Sequence, residues 1–231
     1  GQLLCYTQAN RLGQLRTGAS TGVAVKYLAN YDAATVGIIG TGEQAPAQLE
    51  AVCKVRSIKK VKAYSRTPDR REAFARSMAE RLGIDVIPTA GNREAVQGSD
   101  IVVCIAAATS PVLEGDWLGP GATVVGAGPT SWRHQEVDDT TFQRAGKIFV
   151  DSAEQAREEA GDMASAVDRG LLQWSQILEL RHAVAGVVSG RDTKEQIVYA
   201  KLMGIGVADV AAAKLAYDRA KAEGLGTEME F

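Results

Sequence analysis

TVGIIGTGEQAPAQLEAV, residues 35–52, is the stretch that decides the fold. It opens with an apolar, β-branched run, breaks at Gly40 and Gly42, and continues from Ala45 with apolar residues at helical spacing. That order predicts a buried strand, a tight turn and an amphipathic helix. In a dinucleotide-binding unit the first glycine allows the turn, the second lets a pyrophosphate approach the backbone, and a small third residue lets the helix pack on the strand. The alternative is a glycine turn that binds no ligand.

The start of the predicted helix is also an anion site, because its first N–H groups are unpaired and the helix dipole favours negative charge there. We therefore expect the turn to hold the pyrophosphate of a nicotinamide dinucleotide, mainly through backbone donors. The cofactor-binding candidates in the turn are Gly40, Thr41, Gly42, Glu43 and Gln44. Dinucleotides lie across the carboxyl ends of such strands, so a second set is expected after the fourth strand: Ala106, Ala107 and Thr109.

Strands and helices alternate after the turn. The run IVVCIAAAT, residues 101–109, is almost unbroken apolar sequence, as expected for a parallel strand covered on both faces. The alternation predicts an α/β fold, a doubly wound (Rossmann) parallel sheet with part of a second domain. A strand at 147–152 is expected to close the sheet. The other predicted elements are strands at 59–65, 84–88 and 121–128, and helices at 68–82 and 92–97.

Both ends of the chain are predicted to lie outside this sheet. Residues 1–15 read as strand, turn and strand, and a lone hairpin is rarely stable, so we assign it to another domain. A helix is expected to follow from a cap at Thr17 or Ser20, which places Arg16 at a strand-to-helix junction facing the space between domains. A long helical pattern over residues 193–223 is expected to leave the sheet and return to the other domain.

These patterns divide the chain into three segments. Residues 1–18 are expected to be the remnant of an N-terminal domain, residues 19–204 the dinucleotide-binding domain, and residues 205–231 a C-terminal helix that returns to the other domain. Because the sequence starts at Gly1, inside the predicted hairpin, we also expect an N-terminal segment to be absent from it.

Composition excludes several classes of protein. The chain has 231 residues and a formal net charge of −2, so it lacks the basic character that nucleic acid requires. Three cysteines, an odd number without metal-ligand spacing, favour reduced thiols in a cytoplasmic protein with no metal site. No apolar run approaches the roughly 20 residues of a membrane span. We therefore expect a small-molecule substrate, and neither a nucleic-acid nor a membrane partner.

The end of the second strand indicates which dinucleotide binds. An acidic residue there would accept hydrogen bonds from the adenosine ribose of NAD, whereas arginine accommodates the 2′-phosphate of NADP. The tip of this strand carries no acidic residue. Hydroxyl and guanidinium donors there favour NADP(H), with NAD(H) as the second choice, and the alternative is that the arginines are simply solvated at a helix start. The donors are Ser65, Arg66, Thr67 and Arg70.

Several stretches together resemble the ornithine cyclodeaminase/mu-crystallin family. The likeness covers nearly the whole chain, and the joint order of the motifs is more specific than any one of them. It implies a two-domain subunit whose first hundred or so residues, about one small domain, are absent here and form a substrate-binding and dimerisation domain, so a homodimer is expected. It also implies a nicotinamide cofactor that acts in hydride transfer. The stretches are RTGASTGVAVKYLA (16–29), GIIGTGEQAPAQLEAV (37–52), AYSRTPDRREAFA (63–75), DIVVCIAAATSPVL (100–113), FVDSAEQAREEAGDM (149–163) and YAKLMGIGVADVAAAKLAYDRAKAEGLG (199–226).

The resemblance also implies roles for individual residues. Arg16 matches the arginine of the family's RTGA motif and is expected to pair with a substrate carboxylate through its guanidinium fork, while Thr17 beside it is expected to bind the cofactor. Lys201 matches a lysine of the family's FKSxG stretch and is expected to reach the nicotinamide side. This chain reads AKLMG there, without the serine, and the alternative is a salt-bridged helix lysine.

One departure from the family pattern bears on the reaction. The cyclodeaminases of the family carry an aspartate shortly after the glycine that ends the fifth strand. If Gly128, a further cofactor-binding candidate, is that glycine, then Thr130 stands where the aspartate would be, unless a shifted register brings in Glu136 or Asp138. Thr130 and His134, in the same loop, are the catalytic candidates. A histidine is suited to protonating an imine nitrogen, although an exposed loop histidine is the alternative.

Three functions remain open on these grounds. The leading hypothesis is an NAD(P)H-dependent oxidoreductase that reduces the C=N bond of an imino acid or cyclic ketimine, or runs the reverse amino-acid dehydrogenation. The enzymatic alternative is an ornithine- or lysine-type cyclodeaminase, which Thr130 disfavours because threonine cannot act as a carboxylate base. The third is a mu-crystallin-like protein that binds NADPH without turnover.

Overall fold

An eight-stranded parallel sheet forms the centre of the computed structural model, which describes residues 3–229. The strands are β1 (Thr35–Ile39), β2 (Lys60–Tyr64), β3 (Asp85–Pro88), β4 (Ile101–Cys104), β5 (Thr123–Gly126), β6 (Ala145–Val150), β7 (Ile177–Glu179) and β8 (Ile197–Lys201). Their order is β3-β2-β1-β4-β5-β8-β6-β7, and every neighbouring pair is parallel. The predicted doubly wound α/β fold is confirmed.

Helices cover both faces of the sheet, so the central strands are buried on both sides. Two apolar clusters form the core, one around Val36, Leu49 and Phe149 and the other around Cys104, Phe142 and Tyr199. The helices are α1 (Asn10–Leu28), α2 (Ala45–Val55), α3 (Pro68–Leu82), α4 (Asn92–Val96), α5 (Asp139–Arg144), α6 (Ala153–Glu159), α7 (Gly161–Asp168), α8 (Leu180–Val184) and α9 (Gly206–Ala222).

The elements next to the glycine turn match their predictions closely. Helix α3 has the predicted bounds 68–82, and it ends at Gly83 in the left-handed conformation that commonly terminates helices. The fourth strand is shorter than its apolar run, because β4 stops at Cys104 and residues 105–109 form a loop. That loop is one wall of the cleft described below.

The C-terminal third of the sheet differs from the prediction. Residues 193–223 are not one helix: Ile197–Lys201 is strand β8, which is fully buried and inserted between β5 and β6, and only Gly206–Ala222 is helical. The strand at 147–152 therefore does not close the sheet, since β7 lies beyond it at the edge. The prediction failed because the segment contains few helix-breaking residues, so its pattern did not separate the buried strand Ile197–Lys201 from the helix that follows it.

The predicted hairpin over residues 1–15 is wrong in its described part. Residues 3–9 form no regular structure and α1 begins at Asn10, so Arg16 lies inside a helix rather than at a junction. Neither Thr17 nor Ser20 is a helix cap, because their hydroxyls donate to the carbonyls of Gly13 and Arg16 within α1. Gly1 and Gln2 lie outside the described residues.

Close packing on α2 explains why this glycine-rich segment is helical. A Cβ at Gly18 would lie 2.3 Å from the carbonyl oxygen of Ala47, and one at Gly22 would lie 3.1 Å from the Ala51 side chain. Glycine costs about 1 kcal/mol in a helix relative to alanine. Here that cost is offset because the two helices can approach each other backbone to backbone, which fixes α1 beside the dinucleotide turn.

The predicted domain boundary at residue 18 falls inside α1. The assignment of residues 1–18 and 205–231 to a second domain stays a prediction. Across residues 3–229, none of the helices combines the length and the apolar character needed to cross a membrane.

Candidate active site

A cleft of about 890 Å³ lies at the carboxyl ends of β1, β4 and β5. The strand order reverses between β1 and β4, and ligands of open α/β sheets bind at such a switch point. Sixteen of the eighteen residues that the sequence singled out line this cleft: Arg16, Thr17, Gly40, Thr41, Gly42, Glu43, Gln44, Ser65, Arg66, Thr67, Arg70, Ala106, Ala107, Thr109, Gly128 and Thr130. The structure therefore brings together residues from five separate parts of the chain.

The glycine turn has the shape that a pyrophosphate requires. Gly40 has φ +109°, and a Cβ there would lie 2.5 Å from the carbonyl oxygen of Ile105, so only glycine fits. A Cβ at Gly42 would meet no atom within 4 Å, which shows that the space beside Gly42 is open. Helix α2 begins directly after the turn, and among the described residues no side chain caps its first N–H groups. Such a cradle fits a dinucleotide phosphate.

The tip of β2 forms the adjacent end of the cleft. Ser65 is tied to the glycine turn, because the Thr41 hydroxyl donates to the Ser65 hydroxyl over 2.8 Å. Arg66 and Arg70 are exposed, and within the part of the chain that the structure describes neither forms an ion pair. Arg71 is committed elsewhere, since it stacks on the Tyr64 ring and donates to the Ser65 carbonyl. Two guanidinium groups are thus available to a ligand at this end.

Arg16 lies at the opposite end of the cleft. Its Nε is 2.8 Å from Oδ1 of Asp209 on α9, an ion pair that restrains the side chain by charge although the N–H does not point at the carboxylate as in a hydrogen bond. Its Nη1 packs on Gly204, where a Cβ would lie only 2.8 Å away. A guanidinium held in this way within the cleft is suited to a carboxylate ligand.

Two carboxylates hold the loops that form the walls around Arg16. Glu136 accepts hydrogen bonds from the backbone N–H groups of Ala106 and Gly128, each over 3.0 Å, and so joins the loops after β4 and β5. Asp151 accepts from the N–H groups of Met203 and Gly204, each over 2.9 Å, and so fixes the loop after β8. Burial raises the pKa of Asp151, although these N–H donors oppose the shift.

Lys201 does not reach the cleft, contrary to the expectation from the sequence. It is 2% exposed, and its Nζ lies 3.4 Å from Glu136 and 3.6 Å from Asp162 in a buried cluster behind the loops. Burial raises the pKa of Glu136 to about 7, with Lys201 and the two backbone donors acting in the opposite direction. Burial also acts to lower the pKa of Lys201, but the Asp162 and Glu136 carboxylates outweigh it and the pKa is raised. Lys201 is therefore the counterion that keeps two carboxylates buried.

The two catalytic candidates separate in the structure. Thr130 lines the cleft, and its hydroxyl donates to Oε2 of Glu159 over 3.0 Å. His134 does not line the cleft: its Nδ1 lies 2.8 Å from the Ser131 hydroxyl, and its backbone N–H donates to the Ser131 carbonyl. Both contacts join His134 to Ser131 within the loop rather than to a residue of the cleft.

Sequence reasoning missed two carboxylates that shape this end, Asp151 and Glu159, and named Glu136 only as an alternative in a shifted register. Asp151 and Glu159 lie in FVDSAEQAREEAGDM, a stretch that carried the family resemblance but no assigned role. Their partners are 29 to 53 residues away in the chain, so no local spacing indicates them. In residues 3–229 there is also no group of three or more His, Cys, Asp or Glu side chains arranged to hold a metal ion.

Comparison with known proteins agrees with this geometry. The model of the ornithine cyclodeaminase/mu-crystallin family matches residues 1–224. Delta(1)-pyrroline-2-carboxylate reductase of Bacillus cereus is 38% identical over 232 aligned positions, which cover 100% of this chain and 71% of that protein.

Two solved structures superimpose on the chain. Delta(1)-pyrroline-2-carboxylate reductase of Thermococcus litoralis, in complex with NADH and L-proline, has a TM-score of 0.92 and 37% identity over 96% of this chain and 68% of its own. An archaeal alanine dehydrogenase dimer with bound NAD has a TM-score of 0.90 and 32% identity over the same shares.

Proposed function

The chain belongs to the ornithine cyclodeaminase/mu-crystallin family, and from that premise we propose that it is a nicotinamide-dependent oxidoreductase that reduces the C=N bond of an imino acid. The observation that carries the proposal is that the dinucleotide turn and the guanidinium of Arg16 line opposite ends of the same cleft. A cyclic imino acid such as Δ1-pyrroline-2-carboxylate is the leading substrate, since both the Bacillus cereus and the Thermococcus litoralis relatives are named for it.

We infer that NADP(H) is preferred over NAD(H). Arg66 and Arg70 provide two charges at the tip of β2, and that tip carries no carboxylate to hold the ribose of NAD. Two solved relatives contain NADH or NAD, so the proposed preference rests on this chain's own strand tip and not on the fold. The bound dinucleotide supplies the hydride from its nicotinamide C4.

The residues of the chain bind and orient the substrate. Arg16 pairs with the substrate carboxylate, and the Asp209 contact keeps the guanidinium from turning out of the cleft. Thr130 contacts the substrate nitrogen from the loop after β5, while Met203 and Gly204 form the adjacent wall. Fixed positioning of this kind contributes to the rate because both reaction partners are held in the reacting geometry.

We further propose that the protein forms a homodimer, as the archaeal alanine dehydrogenase is a dimer.

The first test is turnover of the full-length gene product with Δ1-pyrroline-2-carboxylate and NADPH or NADH. We expect loss of absorbance of the reduced cofactor and formation of L-proline in equal amounts. Arg16→Met should lower kcat/KM at least tenfold, because a charged hydrogen-bonded pair contributes about 1.5–3 kcal/mol. The matched control is Arg11→Met, an exposed arginine outside the cleft, which should be unchanged. Release of ammonia from ornithine without net cofactor oxidation would instead establish a cyclodeaminase.

A further inference from the structure

The hydrogen bond between Thr130 and Glu159 determines how Thr130 can meet a ligand. A carboxylate only accepts hydrogen bonds, so the Thr130 hydroxyl is the donor in this 3.0 Å contact. Its single hydrogen is therefore committed to Glu159. Thr130 lines the cleft, so to a ligand there its hydroxyl group can offer lone pairs but no hydrogen.

Glu159 is fixed by a second contact that leads to the substrate end. The side-chain Nε2 of Gln155 lies 3.1 Å from Oε2 of Glu159 and 3.5 Å from the carbonyl oxygen of Gly204. Gly204 is the residue on which the Arg16 guanidinium packs. The acceptor at Thr130 and the cation at Arg16 thus belong to one connected set of residues at the same end of the cleft.

We propose that Glu159, by making Thr130 a hydrogen-bond acceptor, selects the N-protonated iminium form of the substrate. The inference rests on the proposed function, in which the substrate has a carboxylate and a C=N group. The carboxylate pairs with Arg16, the iminium N–H donates to the Thr130 oxygen, and the Glu159 charge stabilises the cation through that hydroxyl. Glu159 does not line the cleft and acts through Thr130, so it is a positioning residue.

Reduction of the protonated iminium requires no separate proton donor in the cleft. A hydride adds two electrons and one hydrogen to the iminium carbon, and the electrons of the C=N π bond become the lone pair of the nitrogen. The nitrogen already carries its proton, so the product is the neutral amine. This accounts for a substrate end that contains an acceptor at Thr130, while His134 does not line the cleft.

Binding of two ligands of the same shape tests the proposal without turnover. L-proline has an N–H₂⁺ group at the position where cyclopentanecarboxylate has a CH₂ group. In calorimetric titrations of the NADH-saturated full-length protein, we expect Glu159→Gln to weaken L-proline binding at least tenfold and cyclopentanecarboxylate binding less than twofold. In a Thr130→Val background, Glu159→Gln should have no further effect. Glu158→Gln, an exposed neighbour with the same change in charge, is the matched control.

The outcomes separate this proposal from the proposed function. If Glu159→Gln lowers the affinity for both ligands equally, Glu159 has only a structural role. If it does not lower the affinity for L-proline, Glu159 does not control how Thr130 binds the ligand. Either result overturns the proposal. In turnover, Glu159→Gln should lower kcat/KM for the imine at least tenfold with NADH affinity unchanged, and Glu159→Asp should recover part of it. If the wild-type protein reduces no imine, the proposed function fails, whereas discrimination between the two ligands would still support the Thr130–Glu159 pair.

Discussion

At the dinucleotide end of the cleft the ligand-facing residues come from two short stretches, residues 40–44 and 65–70, whereas the substrate end is assembled from α1 and from the loops after β4, β5 and β8. The first end is made of backbone and exposed side chains. The second is held by two carboxylates that accept from distant backbone N–H groups: Glu136 from Ala106, 30 residues away, and Asp151 from Met203, 52 residues away. The dinucleotide end is therefore formed by residues that are close together in the sequence, whereas the substrate end depends on contacts between residues that are far apart in the chain.

The largest expected effect is at the buried counterion of the substrate end. Lys201→Met leaves Glu136 and Asp162 buried without their cation, and breaking a buried ion pair on one side costs about 3–5 kcal/mol. We expect that loss in the free energy of unfolding measured with denaturant. A second variant, Lys201→Met combined with Glu136→Gln, should recover part of it because one of the two uncompensated charges is removed.

Arg81→Met is the control for that prediction. Arg81 is half-exposed on α3 and pairs with Glu50 over 2.8 Å, and exposed pairs contribute about 0–1 kcal/mol. If the Lys201 variant loses no more stability than the Arg81 variant, the buried cluster does not hold the substrate end, and the contrast between the two ends disappears.

The two glycines of the dinucleotide turn should respond differently to alanine. Gly40→Ala combines a φ of +109° with a Cβ 2.5 Å from the Ile105 oxygen, so it should lower the free energy of unfolding by about 1–3 kcal/mol as well as weaken NADH binding. Gly42→Ala meets no protein atom within 4 Å and should leave stability unchanged. A methyl group in the open space should nevertheless reduce NADH affinity at least tenfold, as measured by calorimetry. Unchanged affinity in Gly42→Ala would place the dinucleotide elsewhere.

The same contrast explains what the sequence could predict. The strand, turn and helix around Gly40, and helix 68–82, follow from apolar spacing and glycine chemistry within a few residues, and the structure places them as predicted. Strand β8 was mistaken for part of one long helix because residues 193–223 contain few helix-breaking residues, and the buried contact of Lys201 with Glu136, 65 residues away, does not show in the local pattern. The hairpin prediction failed over residues 10–15, which form the first turns of α1, and the packing of Gly18 and Gly22 on α2 that anchors this helix does not show in the local sequence. Non-local pairing, which spacing cannot reveal, accounts for each error.

The smallest expected effect concerns the tip of β2, where the sequence and the solved relatives point to different dinucleotides. Arg66 is exposed beside the cleft and without an ion pair among the described residues, so its charge is available to a 2′-phosphate. We expect Arg66→Ala to weaken NADPH binding about tenfold, equivalent to about 1.4 kcal/mol, and to change NADH binding less than twofold. Arg76→Ala, an exposed arginine on helix α3 that does not line the cleft, should change neither affinity.

If the wild-type protein binds NADH as tightly as NADPH, the absence of an acidic residue at the tip of β2 does not determine the cofactor. The cofactor preference would then depend on residues outside the stretch 65–70. If only the Arg66 variant loses the preference, a single exposed side chain sets it, which is the kind of property that a sequence can show without the fold.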